Sequence, residues 1–202
     1  MKYDDKAWED HKLVELYRRV GWTPNRIHTL QWIVNLRPAI MLEIGCLDGC
    51  NIRKLRELGY NGKYVGLDIT QAHLKEATLL SPSETFVKGD VRNLTFSNRS
   101  FALVLFSDVI QHLQEPTKAM TEVFRVADKY MLLSTYGSTD KTFTTHNAKF
   151  FNWWYSRGDI LTHCPNDWKL IEFATLPHPT APQRKIFHFQ FHRIDKTNDK
   201  SS

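Results

Sequence analysis

The sequence has few cysteines and no long apolar run. Its three cysteines in 202 residues are an odd number, which argues against a disulfide framework and fits a reducing compartment. No stretch approaches the roughly 20 apolar residues that a membrane-spanning helix needs. The first residues, MKYDDKAWEDHK, are too acidic and polar for a secretory signal. We therefore expect a cytoplasmic protein with no membrane partner.

Dense runs of positive charge are also missing. The net charge is +5, but lysine and arginine are scattered along the chain. This modest excess permits an RNA partner without favouring one. Hydrophobic residues make up 42% of the chain, which predicts one folded domain over residues 1–202. Within it we expect an N-terminal helical cap over 1–37, a core over 38–194 and a polar tail over 195–202, in a monomer or homodimer.

Apolar periodicity predicts two helices near the N-terminus. The first is expected over Lys6–Val20, and Gly21 ends it. The second begins with Thr23 as its N-cap and Pro24 at its first helical position, and Pro38 closes it. These two helices would form the cap.

From residue 39 onwards, short apolar runs alternate with helical patterns. Five runs are typical of buried strands: AIMLEIG, KYVGLDI, TFVKGD, FALVLFSD and YMLLST. Helices are predicted between them near 51–58, near 71–79 and after Pro116. Such alternation predicts an α/β fold, in which helices cover both faces of a parallel sheet.

The C-terminal region has a different pattern. Two strands are predicted over Trp168–Leu176 and Lys185–Ile194, joined by the proline-rich segment LPHPTAPQ. In the second strand, phenylalanines alternate strictly with His188, Gln190 and His192, a pattern that a helix cannot use. We expect this pair of strands to be antiparallel at the edge of the sheet.

Acidic residues follow three successive predicted strands. Asp68, Asp90 and Asp108 end the second, third and fourth strands, at the edge where an open parallel sheet binds its ligands. Asp68 is well placed to accept hydrogen bonds from both hydroxyls of a ribose. Asp90 could accept one from the exocyclic amine of a base. Together the acids predict a nucleoside site that disfavours additional negative charge.

The turn after the first strand narrows the choice of nucleoside. Gly45 and Gly49 let the backbone turn tightly and approach a ligand. Leu47 stands where a dinucleotide-binding turn would have its middle glycine. Glu43 and Asp48 add negative charge, which would repel a pyrophosphate but suits a sulfonium and an ammonium group. S-adenosylmethionine carries both of these groups.

These motifs resemble those of a known family. LEIGCLDG, then GLDI, then GD with VRNLTF, then FALVLFSDVIQHLQEP look like the class I S-adenosylmethionine-dependent methyltransferases, in particular the small-molecule type called type 11 or UbiE-like. The resemblance covers about residues 39–135. It implies a three-layer, Rossmann-like, seven-stranded sheet of order 3-2-1-4-5-7-6 with strand 7 antiparallel, plus N-terminal helices.

The resemblance also assigns cofactor-binding residues. It places Glu43, Gly45 and Gly49 at the methionine end of S-adenosylmethionine, and it places Asp68 at the ribose. The remaining assignments are Asp90 and Val91 beside the adenine, Asp108 and Val109 closing over the methionine part, and Cys46 and Ile69 as further cofactor neighbours.

The spacing Cys46-x₃-Cys50 permits a metal site as an alternative. An iron–sulfur cluster would need a further thiolate nearby, and position 53 is an arginine. Zinc would need a second cluster of His or Cys, and only the distant Cys164 beside His163 is available. We therefore predict no metal. Cys46 is expected to fill space beside the cofactor, and Cys50 to pack at the helix start.

Two histidines are candidate general bases for an oxygen acceptor. His112 follows the fourth strand and either acts as a base or, as we favour, orders its own loop by hydrogen bonding. His146 lies in the polar and aromatic segment after the fifth strand, where this fold usually builds its substrate pocket. The substrate-binding candidates in and near that segment are Tyr136, Asp140, His146, Asn147 and Trp154.

The aromatic run over residues 150–155 has two interpretations. Phe150, Trp153 and Trp154 share one helical face, so the run predicts a helix that packs on the sheet. Alternatively, Trp154 or Tyr155 reaches the substrate pocket. Trp8 and Tyr17 of the first predicted helix could cap the same cleft.

The predicted function is methyl transfer from S-adenosylmethionine to a small molecule by in-line displacement, with oxygen acceptors ahead of nitrogen or carbon ones. DNA is disfavoured because the chain has neither Asn/Asp-Pro-Pro-Tyr/Phe nor a Pro-Cys nucleophile. An RNA or protein methyltransferase remains an alternative, as does a non-catalytic subunit that kept the fold.

Overall fold

The computed structural model describes residues 22–140, 142–146, 150–179 and 181–194. The helix predicted over Lys6–Val20, with Trp8 and Tyr17, lies outside these residues. So do Asn147 and the tail predicted over 195–202. Within the described ranges, none of the helices is long and apolar enough to cross a membrane.

Helices and strands alternate along most of the described chain. In order they are α1 Pro24–Leu36, β1 Ile40–Ile44, α2 Cys50–Glu57, β2 Lys63–Asp68, α3 Gln71–Leu80, β3 Thr85–Lys88, β4 Phe101–Ser107, α4 Thr117–Val126, β5 Ala127–Gly137, β6 Thr142–His146, β7 Phe150–Trp154, α5 Arg157–Leu161, β8 Trp168–His178 and β9 Ala181–Arg193. A 3-10 turn, Ile110–His112, connects β4 with α4.

A seven-stranded sheet of order β3-β2-β1-β4-β5-β9-β8 forms the centre of the fold. Strands β1 to β5 pair in parallel with one another, whereas β9 pairs antiparallel with both β5 and β8. Counting β8 and β9 as the sixth and seventh strands gives the predicted order 3-2-1-4-5-7-6. The fold prediction is therefore confirmed, including its antiparallel last strand.

Successive strand residues alternate between two apolar cores, one on each face of the sheet. The core on the α4 side includes Leu42, Ile44, Val104, Phe106, Met131, Leu133, Phe189 and Phe191. The core shared with α1 and α2 includes Met41, Leu103, Leu105 and Leu132. The alternation predicted for β9 holds as well, because Phe189 and Phe191 face one side while His188 meets Thr29 of α1 on the other, at 2.9 Å between Thr29 Oγ1 and His188 Nδ1.

The aromatic run after β5 differs from the prediction. The prediction of a helix with Phe150, Trp153 and Trp154 on one face is wrong. These residues belong to β7, which pairs antiparallel with β6 in a separate two-stranded sheet. Six residues are too few to distinguish helical spacing from other patterns, and the Thr- and aromatic-rich composition favours strands. The proline-rich loop expected between β8 and β9 is also shorter than predicted, since the two strands continue to His178 and from Ala181.

Candidate active site

A cavity of about 420 Å³ opens at the carboxyl ends of the parallel strands, within the size range of small-ligand sites. It extends from the loops after β2 and β3, past those after β1 and β4, to the end of β5 and the tip of the β8–β9 hairpin. Many predicted site residues line it: Gly45, Cys46, Asp68, Ile69, Asp90, Val91, Asp108, Val109, His112, Tyr136 and Trp154. Sheet topology has thus brought distant strand ends into one site.

The turn after β1 has a left-handed backbone at three residues. Gly45, Leu47 and Gly49 have φ values of +75°, +49° and +71°. A Cβ at Gly45 would lie 2.4 Å from Cγ2 of Val109, so this glycine permits a close approach between the β1 and β4 loops. Leu47 adopts a conformation that costs a leucine about 1–2 kcal/mol, and its N–H donates to Oδ2 of Asp68 at 3.0 Å.

The two acids of this turn act behind the cavity. Glu43, Asp48 and Gly49 do not line the cavity. Asp48 instead forms hydrogen bonds within the turn and the start of α2. Asp48 accepts hydrogen bonds from the N–H of Cys50 and from Arg53, both at 3.1 Å. It therefore supports the start of α2, the position where a dinucleotide-binding turn would hold its pyrophosphate.

Glu43 positions Asn51, which does line the cavity. The Glu43 carboxylate accepts from Asn51 Nδ2 and from the Tyr64 hydroxyl, each at 2.6 Å. Burial raises the pKa of Glu43 to about 7, and the hydrogen bonds from Tyr64 and Asn51 oppose that rise. The assignment of Glu43 to the methionine end therefore remains a prediction, with Asn51 standing between Glu43 and the cavity.

Asp68 connects the loops after β1 and β2. Its Oδ1 accepts from the N–H of Thr70 at 2.9 Å and lies 3.3 Å from Nδ1 of His73, while its Oδ2 accepts from Leu47. A carboxylate has about four acceptor positions, so Asp68 can hold these groups and still accept from a ligand hydroxyl. Its structural role was not apparent from the sequence.

Asp90 at the end of β3 is paired with Arg92. Arg92 Nε donates to both carboxylate oxygens at 2.9 Å, and Nη2 donates to Oδ2 at 2.6 Å. Burial works against ionisation of Asp90, but the hydrogen bonds from Arg92 outweigh it and lower the pKa. An adenine amine would therefore share this carboxylate with Arg92, a partner that the sequence analysis did not anticipate.

Asp108 at the end of β4 has a left-handed backbone, with φ of +55°. Its Oδ1 accepts from Ser134 Oγ at 3.0 Å, and its N–H donates to the Ser134 carbonyl at 3.2 Å. Burial raises its pKa, opposed by the hydrogen bond from Ser134 and by the charge of Arg26. The Ser134 contacts turn the β4 loop, and hence Val109, toward Gly45.

Arg26 of α1 is a cavity residue that the sequence analysis missed. Its Nη2 donates to Cys50 Sγ at 2.8 Å and to Asn51 Oδ1 at 3.2 Å. Arg26, in the first turn of α1, thus places a positive charge in the cavity beside the start of α2. The periodicity of α1 gave no indication of this, because Arg26 lies one residue from the apolar positions.

Cys46, which was expected beside the cofactor, lines the cavity, and so does Cys50, which was expected only to pack at the helix start. Burial raises the pKa of Cys46 well above its usual value and that of Cys50 to about 11. Both thiols are therefore protonated at neutral pH, the form that neither attacks nor binds metal well. Within the described ranges, no three His, Cys, Asp or Glu side chains are placed to hold a metal ion.

The far half of the cavity is aromatic. Tyr136 at the end of β5 stacks on Trp154 of β7, with centroids 4.8 Å apart, and meets His178 edge-on at 5.2 Å. Asn25 of α1 donates to the carbonyl of Pro177 at 3.0 Å, which ties the β8–β9 tip to α1. Asn152, His178 and Arg184 line this half as well, and sequence reasoning did not identify them.

The other predicted residues have varied outcomes. His112 lines the cavity and is largely buried in its 3-10 turn. Its backbone N–H donates to the Val109 carbonyl at 2.9 Å. Tyr155 is only 1% exposed and does not line the cavity; its hydroxyl donates to the Leu113 carbonyl at 2.7 Å. His146 ends β6, and Asn147 is outside the described residues. The catalytic assignments of His112 and His146 stay predictions.

Sequence comparison identifies relatives of the site-bearing region. Residues 42–130 match the family model described as a methyltransferase domain. The chain is 29% identical over 127 residues to a phthiotriol/phenolphthiotriol dimycocerosates methyltransferase of Mycobacterium ulcerans, a match that covers 59% of this chain and 47% of the relative. It is 30% identical over 96 residues to norajmaline N-methyltransferase of Rauvolfia serpentina, covering 45% and 33%. The chain thus spans about half the length of the mycobacterial relatives it matches, and less of the plant one.

Structural comparison extends the similarity to most of the chain. The 1,6-didemethyltoxoflavin-N1-methyltransferase of Burkholderia thailandensis matches with a TM-score of 0.74 at 15% identity, covering 92% of this chain and 84% of that one. The N-methyltransferase NodS of Bradyrhizobium japonicum matches with a TM-score of 0.68 at 14% identity, covering 88% and 91%. At these identities the matches establish the fold.

Proposed function

We propose that this chain, whose residues 42–130 match a methyltransferase domain, is a class I S-adenosylmethionine-dependent methyltransferase that methylates a small molecule, with oxygen ahead of nitrogen or carbon as the acceptor atom. The observation that carries the proposal is the single cavity shared by both halves of the site. The strand-end acids and the glycine turn line one half, and the aromatic residues line the other.

The residues of the first half fit S-adenosylmethionine. Gly45 lets the β1 turn approach Val109 of the β4 loop, since a Cβ there would lie 2.4 Å from Val109 Cγ2, and Asp68 retains acceptor capacity for a ribose hydroxyl. Asp90 and Val91, which follow β3 and line the cavity, would contact the adenine. Arg26 has the charge to bind the methionine carboxylate.

When bound, the sulfonium supplies an electrophilic methyl group, which the acceptor takes with loss of its own proton while the electron pair of the broken C–S bond stays on sulfur. This chain's residues mainly position the acceptor and exclude water. His112 lines the cavity after β4, and we assign it the role of receiving a hydroxyl proton. For this reason we place oxygen acceptors first.

The acceptor half supports a small molecule as substrate. Residues from β5, β7 and the β8–β9 tip line it together, so the acceptor enters a partly enclosed space instead of an open groove. The matched relatives named for a lipid and an alkaloid substrate fit the same conclusion.

Calorimetric titration with S-adenosylhomocysteine tests the cofactor site. We expect Asp68→Asn to lower affinity at least tenfold, since a side-chain amide has only one acceptor oxygen and cannot keep both the Leu47 and Thr70 contacts while accepting from a ribose hydroxyl. Glu57→Gln is the matched control, because Glu57 is an exposed carboxylate on α2 that does not line the cavity. Equal affinities for the two variants would contradict the proposal.

Release of S-adenosylhomocysteine across phenols, amines, sugars and RNA tests the transfer itself. Turnover with a phenol or sugar is the expected result. Turnover with RNA alone would replace the small-molecule proposal, and cofactor binding without any turnover would favour a non-catalytic subunit.

A further inference from the structure

The acceptor half of the cavity contains a preformed aromatic wall, consisting of Tyr136, Trp154 and His178. Two backbone hydrogen bonds hold β7 beside the end of β5: Tyr155 N–H donates to the Tyr136 carbonyl, and Ser138 N–H donates to the Tyr155 carbonyl, both at 3.0 Å. The stacked Tyr136 and Trp154 rings are therefore fixed by the main chain. Such a wall favours a planar ring as its ligand.

The hydrogen-bonding groups on this wall are neutral. Burial raises the pKa of Tyr136 to about 12, and the nearby charge of Asp108 adds to the rise. Burial also lowers the pKa of His178, together with the charge of Arg184. Near neutral pH, Tyr136 is therefore a neutral hydrogen-bond donor and His178 an uncharged imidazole.

Arg184 brings a positive charge to the rim of the same wall. Its guanidinium lies 4.9 Å from the centroid of the Trp154 ring, and Arg184 lines the cavity. Of the arginines that line it, Arg92 is paired with Asp90 and Arg26 bonds Cys50 and Asn51. Among the described residues, no carboxylate forms an ion pair with Arg184.

We propose that the methyl acceptor is an aromatic compound with an anionic substituent, such as a carboxylate, whose ring packs against the aromatic wall and whose anion binds Arg184. The assignment rests on the proposed methyltransferase function and defines its substrate class. A cationic amine would meet like charge at Arg184, and a neutral aliphatic acceptor would leave both the ring contacts and the guanidinium unused.

Binding of matched phenols to the protein saturated with S-adenosylhomocysteine tests the proposal by calorimetry. The probes are 4-hydroxybenzoate, phenol and tyramine, which share a ring and a hydroxyl and differ in charge, and 4-hydroxycyclohexanecarboxylate, which keeps the anion without the aromatic ring. We expect 4-hydroxybenzoate to bind at least tenfold more tightly than each of the others.

The variant Arg184→Gln should reduce the preference for 4-hydroxybenzoate over phenol about tenfold, with S-adenosylhomocysteine affinity unchanged. Lys185→Gln is the control, because this adjacent exposed cation does not line the cavity, and it should keep the preference. Equal binding of all probes, binding by none, or the same preference in both variants would overturn the inference. Failure of S-adenosylhomocysteine itself to bind would instead count against the proposed function.

Discussion

Replacing Gly45 with alanine tests how closely the β1 and β4 loops pack at the cavity. The new Cβ would lie 2.4 Å from Val109 Cγ2, whereas carbon atoms pack best at about 3.5–4.0 Å. Alanine would also have to adopt the φ of +75° seen at Gly45. The substitution therefore carries two separable penalties, one from the backbone conformation and one from the steric overlap.

The chain offers a control for each penalty. Gly59 has φ of +87° and nothing within 4 Å of an added Cβ, so Gly59→Ala carries the conformational cost alone, about 1 kcal/mol. Gly45→Ala adds overpacking of about 1–3 kcal/mol, which predicts a total loss of roughly 3 kcal/mol in the free energy of unfolding. Val109→Ala removes the methyl group that an alanine at residue 45 would meet.

Urea unfolding of the wild type, the three single variants and the Gly45→Ala/Val109→Ala double variant measures these quantities. In a double-mutant cycle, the pair should show a favourable coupling energy of at least about 1 kcal/mol. The reasoning is refuted if Gly45→Ala costs no more than Gly59→Ala. It is equally refuted if truncating Val109 recovers none of the lost stability.

Two further predictions concern packing around the site. His188 is 1% exposed and its ring meets that of His28. Burial, together with the charge of His28, lowers the pKa of His188 to about 3. The neutral His188 therefore contributes fully to stability above about pH 6.5, and this contribution is lost as the pH falls toward 3. Between pH 7 and 5 the free energy of unfolding should drop by about 2 kcal/mol more in the wild type than in His188→Asn, and parallel pH profiles would disprove this. Tyr155→Phe leaves the Leu113 carbonyl without its 2.7 Å donor and should cost about 1–3 kcal/mol in urea unfolding. Tyr130→Phe is the control, because the Tyr130 ring contacts His192 and its hydroxyl forms no hydrogen bond within the described residues; it should change stability by less than about 0.5 kcal/mol.

The cofactor half of the site was predictable because it depends on local patterns. Each strand could be located from its apolar run, and a parallel sheet brings strand ends to one edge. The sequence therefore predicts Asp68, Asp90 and Asp108 together at this edge, where the cavity lies. What the sequence did not reveal is how these acids are shared, for instance the pairing of Asp90 with Arg92.

Tyr136 and Trp154 of the acceptor half were predicted from the sequence, but the residues that distant segments bring to the cavity could not be predicted in the same way. Arg26, His178 and Arg184 reach the cavity from α1 and from the β8–β9 tip, segments that are more than 150 residues apart at their extremes. Their convergence depends on tertiary packing and leaves no periodic signal. The β6–β7 hairpin was missed for a related reason, since a short aromatic run is compatible with either a helix or a strand.

The hydrogen bond from Asn25 to Pro177 makes α1 a common support for two ligands. The residue after Asn25 faces the cofactor half, and the strand that Pro177 belongs to faces the acceptor half. A ligand that restricts α1 from one side reduces the entropy that the other ligand has to remove. Thermodynamic linkage makes this cooperativity reciprocal, so whatever factor the acceptor gains from bound cofactor, the cofactor gains from bound acceptor.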